Sequence, residues 1–150
     1  MPGGDAMSGG VRELVIAPLM RDEGFRRKPY RCTAGKLTIG YGTNLDEGIT
    51  DDEAMFLLES RVDVAIVDCQ RTFPWFSGLD PARQGVLVQM RYQLGLPRLL
   101  GFRRMLEAIA RKDFAAAATQ MLDSKWARQV GLRASELSQM MREGRYKETS

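Results

Sequence analysis

Two cysteines in 150 residues, Cys32 and Cys69, are too few to build a disulfide scaffold. A chain of this length that is 44% hydrophobic can form one ordinary domain around its own core, so free thiols are expected. No stretch approaches the ~20 apolar residues that span a bilayer, which argues against stable membrane insertion. Met1 to Gly10 has neither the basic start nor the apolar centre of a secretion signal, so the expected product is soluble and made in the cytoplasm. Repeats and low-complexity segments are absent. The charged residues, 27% of the chain, are spread along it, which excludes extended disorder. No concentrated basic face with interleaved aromatics is present, and nucleic acid is a poor candidate partner. The net charge of +3 and pI near 9.1 suit an anionic polymer without choosing one.

What is present divides the chain into segments. Residues 1–10 are glycine-rich and read as a flexible leader, 11–147 as a single domain and 148–150 as a tail. Val11, Leu14, Val15, Pro18 and Leu19 recur at helical spacing, and the pattern stops at Gly24, which leaves Glu23 at a helix end. Residues 28–46 replace that pattern with Gly, Thr and aromatic residues, and Thr33 to Lys36 is a plausible tight turn between short strands. Thr50 and Glu53 have the spacing of a capping box, opening a long helix to about Arg71. Asp80-Pro81 opens another to about Leu94. Helices over Phe102 to Arg111, Asp113 to Leu122 and Leu132 to Arg142 follow. The expected architecture is α+β and mostly α. A small hairpin or meander lobe and a larger helical lobe are joined by a long helix, with the site in a cleft between them.

The unusual residues concentrate between Asp22 and Thr43. Glu23 is the candidate acid, since a carboxyl buried among apolar neighbours keeps its proton and can donate it at neutral pH. On residue type alone it also reads as a helix-end carboxylate paired with an arginine. Cys32 lies nine residues further on in the predicted hairpin, where a chain reversal could point its sulfur back towards Glu23. Its plainer reading is a small half-buried hydrophobe. Thr38 could hold a water or a sugar through its hydroxyl, or be an ordinary strand residue.

The run EGFRRKPYRCTAGKLTIGYGTNL, Glu23 to Leu45, resembles the signature of the phage-type lysozymes, the endolysins of glycoside hydrolase family 24. Arg83 to Leu106 is similar to their central helix and following turn, and Ser124 to Tyr146 to their C-terminal part. The likeness covers roughly residues 11 to 147. It implies a lysozyme-like fold and a bacteriolytic muramidase that hydrolyses the β-1,4 bond between N-acetylmuramic acid and N-acetylglucosamine in peptidoglycan, with no cofactor or metal. Glu23 would be the general acid, with Cys32 in the second catalytic position and Thr38 helping to place the water. Tyr92 and Gln93 would touch the glycan, and Arg133 matches an arginine beside the Asp22-Glu23 pair. The resemblance further implies a monomeric endolysin that waits in the host cytoplasm until a separate holin-type protein permeabilises the membrane.

The chain departs from the commonest pattern of that family at Cys32, where many members have Asp, at Thr43 in place of His and at Gln89 in place of Asn. The first departure bears on mechanism. A free thiol titrates near pH ~8.5, so it is mainly neutral at pH 7 unless cations such as Arg31 or Lys28 favour the thiolate. Cys32 would then activate a water and give inversion, or attack the anomeric carbon itself and give retention. The competing reading is a catalytically weak or inactive lysozyme-like module that binds peptidoglycan. Oxidative pairing of Cys32 with Cys69 would block the site, and the place of Cys69 in the predicted long helix argues against it.

Overall fold

A glycine closes the first helix. In the computed structural model, which describes residues 5–146, α1 spans Asp5–Glu23. The Gly24 N–H donates to the Met20 carbonyl at 3.2 Å, and its φ of +71° is one that a side chain would strain. The helix begins inside the stretch expected to be a leader. Gly9 and Gly10 lower helical propensity, but not enough to end a helix that continues on both sides. Residues 1–4 and the expected tail, 148–150, lie outside the described residues.

The segment after Gly24 forms an antiparallel sheet of β1 (Arg26–Arg31), β2 (Leu37–Gly40) and β3 (Thr43–Asn44), in that order. Tyr30 faces Thr38, Arg31 faces Leu37, and Thr38 faces Asn44. At the first reversal the Gly35 N–H donates to the Cys32 carbonyl at 2.8 Å and the Cys32 N–H to the Lys36 carbonyl at 3.0 Å. The turn therefore falls where Thr33, Ala34 and Gly35 predict it. The second reversal is Gly40-Tyr41-Gly42, with φ of +65° and +77° at the two glycines. Asn44 then accepts from the Asp46 N–H and starts a short 3-10 turn over Leu45–Glu47.

The chain divides into two compact units, Met1–Ala54 and Met55–Ser150, and the division falls in the first turn of α2 (Asp51–Thr72). That turn carries the expected capping box. The Glu53 N–H donates to Thr50 Oγ1 at 3.1 Å, and the Thr50 N–H to Glu53 Oε1 at 2.8 Å.

The second unit is helical: α3 (Pro81–Leu94), α4 (Leu96–Leu100), α5 (Arg103–Ala110), α6 (Phe114–Leu122), α7 (Lys125–Val130) and α8 (Leu132–Glu143). Asp80, Asp113 and Ser124 cap α3, α6 and α7 through their side-chain oxygens, and Gly144 ends α8 in the left-handed conformation. The short α4 and α7 have no counterpart in the sequence reading, because five or six residues are too few to show a periodicity. Val86, Leu87 and Met90 of α3 are fully buried with Leu99, Met105, Ile109, Met121 and Met141. Each large side chain of this kind contributes about 1.5–3 kcal/mol by leaving water.

Arg83 fastens the beginning of α3 to the end of α8. Its Nε donates to the Met141 carbonyl at 2.6 Å and its Nη2 to the Arg142 carbonyl at 2.9 Å, while Nη1 pairs with Asp80 at 3.0 Å. The guanidinium lies 3.6 Å from the centroid of the Phe114 ring. The fold class is the expected one, mostly helical with a small antiparallel sheet. No described helix is long and apolar enough to cross a membrane.

Candidate active site

Glu23 sits in the last turn of α1, and its side chain lies against Gly42 in the second hairpin reversal. A β-carbon built on Gly42 would come within 2.7 Å of Glu23 Oε2 and 3.0 Å of its Cδ. A side chain at position 42 would therefore push the Glu23 carboxylate from this place, and the φ there also favours glycine. The expectation of apolar burial around Glu23 does not hold, because its side chain is exposed. Nor is it a helix-end carboxylate tied to an arginine. Arg21 pairs with Asp22 at 3.0 Å, and among the described residues Glu23 makes no ion pair.

Cys32 and Thr38 come together across the first reversal. Cys32 is a half-buried free thiol held below the ordinary thiol range, chiefly by hydrogen bonding from the backbone of Lys36 and then of Ala34. The Thr38 hydroxyl adds to this after the opposing effect of desolvation. The turn supplies this stabilisation, rather than the cations Arg31 and Lys28 that the sequence suggests. Arg31 instead donates to the Gly35 carbonyl at 3.2 Å. Thr38 is buried, and its Oγ1 donates to the Lys36 carbonyl at 2.8 Å. A hydroxyl has one hydrogen, so in this state Thr38 can only accept from a water, and turning that hydrogen away would direct it to the Cys32 sulfur.

Exposed aromatic residues flank these positions. The Phe25 and Tyr41 rings lie 5.1 Å apart, and the Arg27 guanidinium lies 5.2 Å from the Phe25 centroid.

In the second unit, Tyr92, Gln93 and Arg133 also occur close to one another. Arg133 Nη2 donates to Gln89 Oε1 at 3.0 Å. With the Gln93 amide turned so that its oxygen faces the guanidinium, Gln93 accepts from the same Nη2 at 3.1 Å. Gln89 and Gln93 are one turn apart on α3 and together fix the direction of Arg133. Gln89, Tyr92 and Arg133 line a cavity of about 510 Å³ together with Val62, Val88 and Tyr146. Cys69 is wholly buried in the core, and its thiol is pushed up to about 11 by desolvation and by the charge of Asp68. Both cysteines are free.

Four contributing residues carry little sign of their roles in the sequence. Gly42 was visible only as part of a motif, since a glycine does not announce what lies over it. The amides of Lys36 and Ala34 carry no side-chain signal. Gln89 stands out in the sequence only as a departure from the family pattern, although its spacing of four from Gln93 puts both on one helical face.

Residues 20–148 match the model of the phage lysozyme family, and the chain belongs to that family. It is 25% identical to probable T4-type lysozyme 1 of Dictyostelium discoideum, over 84% of this chain and 92% of that protein. It is 24% identical to probable T4-type lysozyme 2 of the same organism, over 87% and 94% respectively. It is also 30% identical to the pre-baseplate central spike protein Gp5 of Enterobacteria phage T4, over 84% of this chain but only 27% of the spike protein. By family the chain is a lysozyme, a peptidoglycan hydrolase of the muramidase type.

Proposed function

We propose that this protein hydrolyses the β-1,4 bond between N-acetylmuramic acid and N-acetylglucosamine, with Glu23 as general acid and Cys32 as the base that activates water. The observation carrying this reading is the Cys32 thiol, set towards its anionic form by the turn amides and adjoined by the Thr38 hydroxyl. A thiolate at this position can accept the proton of a water that also donates to Thr38. The water oxygen then bonds to the anomeric carbon as the glycosidic bond breaks, and Glu23 gives its proton to the leaving oxygen. Bound glycan would cover Glu23 and exclude water from it.

This route inverts configuration. Attack by sulfur would instead form a thioglycosyl intermediate and retain it. NMR of the first product anomer separates the two, because an initial β product is incompatible with single displacement. In the second unit, Tyr92, Gln93 and Arg133 contact the glycan in this reading, with Arg133 aimed by the two glutamines. Action as a monomeric endolysin, released to the wall by a holin-type protein, extends the same proposal.

Clearing of purified peptidoglycan by wild type and Glu23→Gln is the direct test. The variant should lose about 10²-fold or more. Equal inertness of both, with glycan binding retained, would replace this reading with that of a binding module. Mass spectra of the released fragments should show an added water; an anhydro sugar would mean transglycosylation.

A further inference from the structure

Four cations surround a cavity at the start of α5 that the proposed glycan chemistry does not use. Arg98, Arg103, Arg104 and Lys125 line a space of about 530 Å³, and Asp123 is the single acidic residue in its lining. Among the described residues none of the four cations makes an ion pair. Unpaired like charges gathered around one cavity repel, and an entering anion would relieve that repulsion.

Two further observations point to the same kind of ligand. The N-cap position of α5, Phe102, supplies no side-chain hydrogen bond and the first turn holds no acidic residue, so the positive end of the helix is uncompensated. Trp126, nearly all buried, lines the same cavity, and its indole N–H has no hydrogen-bond partner. A buried donor left unpaired is uncommon.

We propose that this cavity binds a phosphate group. Three guanidinium forks, an ammonium and a helix N-terminus offer more donors than the two oxygens of a carboxylate can take up. The several oxygens of a phosphate match them. None of these residues is among those proposed to act on the glycan, so the inference stands or falls independently of the glycosidase chemistry. The phosphate could be free or be an ester on an anionic polymer of a bacterial envelope.

Amide correlation spectra titrated with inorganic phosphate, a glycerol phosphate oligomer and acetate, at matched ionic strength, test this. Both phosphates should shift the backbone amides of Arg103 and Arg104 and the Trp126 indole N–H in a saturable way. They should do so at concentrations at least about tenfold below acetate. Arg103→Glu with Arg104→Glu should weaken this binding by about tenfold or more while the other resonances stay in place, and Lys125→Gln should weaken it less. An oligomer that binds tighter than inorganic phosphate identifies the polymer as the source, and equal binding identifies free phosphate. Acetate binding as well as phosphate, or shifts unchanged in the variants, would overturn the proposal.

Discussion

The carboxylate of Glu23 rests on Gly42, so closely that a methyl group at position 42 would meet Oε2 at 2.7 Å. Gly42→Ala should therefore displace Glu23 and also place a side chain at a φ of +77°, a strain of about 1–2 kcal/mol. Gly48→Ala makes a clean comparison, because its φ is +80° and nothing lies within 4 Å of the added carbon. Both variants should lose similar stability in urea denaturation. Only Gly42→Ala should lose wall-clearing activity, by about tenfold or more. Equal activity in the two would show that Gly42 does not position the acid.

Cys32 should govern the rising limb of the pH profile. A base must be deprotonated to work, so activity should rise with pH through the pKa of Cys32, and the turn amides move that rise down from where an ordinary thiol would put it. In Cys32→Asp the rise should move to the carboxylate range near ~4. A profile of kcat/KM that keeps its position in Cys32→Asp would mean that another group supplies the base.

Gln89 and Arg133 should behave as a coupled pair. Gln89→Ala removes one of the two acceptors that aim the guanidinium and Arg133→Ala removes the guanidinium itself, and each should raise KM about 2- to 5-fold with little change in kcat. The double variant should be no worse than the more affected single one. Additive effects would mean that Gln89 does not act through Arg133.

Buried Cys69 makes stability depend on pH. Its folded-state pKa of about 11 lies above the unfolded value of ~8.5. The stabilisation from keeping this thiol protonated is complete below ~8.5 and is lost as pH climbs towards 11. Cys69→Ala should cost about 1 kcal/mol at pH 7.5 through the space it leaves, but should lose less stability than wild type between pH 8.5 and 10.5. Parallel losses in the urea midpoint would remove Cys69 as the cause.

Much of this was legible because local chemistry leaves a local mark. Gly24, Asp80, Asp113, the Thr50-Glu53 pair and Gly144 each announce a helix end within four residues, and each does so in the structure. The turn between Cys32 and Lys36 is equally plain in Thr33, Ala34 and Gly35. What the sequence concealed depends on backbone atoms or on residues far apart in the chain. The amides that favour the Cys32 thiolate belong to any residue, and the contact of Glu23 with Gly42 needs the whole sheet between them. The exposure of Glu23 shows the limit of inferring burial from a role, since the requirement for an acid does not dictate what surrounds it.

The clasp made by Arg83 has an evolutionary corollary. Two of its acceptors are main-chain carbonyls, those of Met141 and Arg142, which every residue possesses. The exposed side chain at 142 can therefore drift without loosening the clasp, while Met141 is held by its burial in the core and not by this contact. At position 83, the guanidinium answers at once to two carbonyls, a carboxylate and an aromatic ring. The freedom to vary is thus unequal at the two ends of one contact: the donor is constrained by all its partners, while the acceptors are supplied by the peptide chain itself.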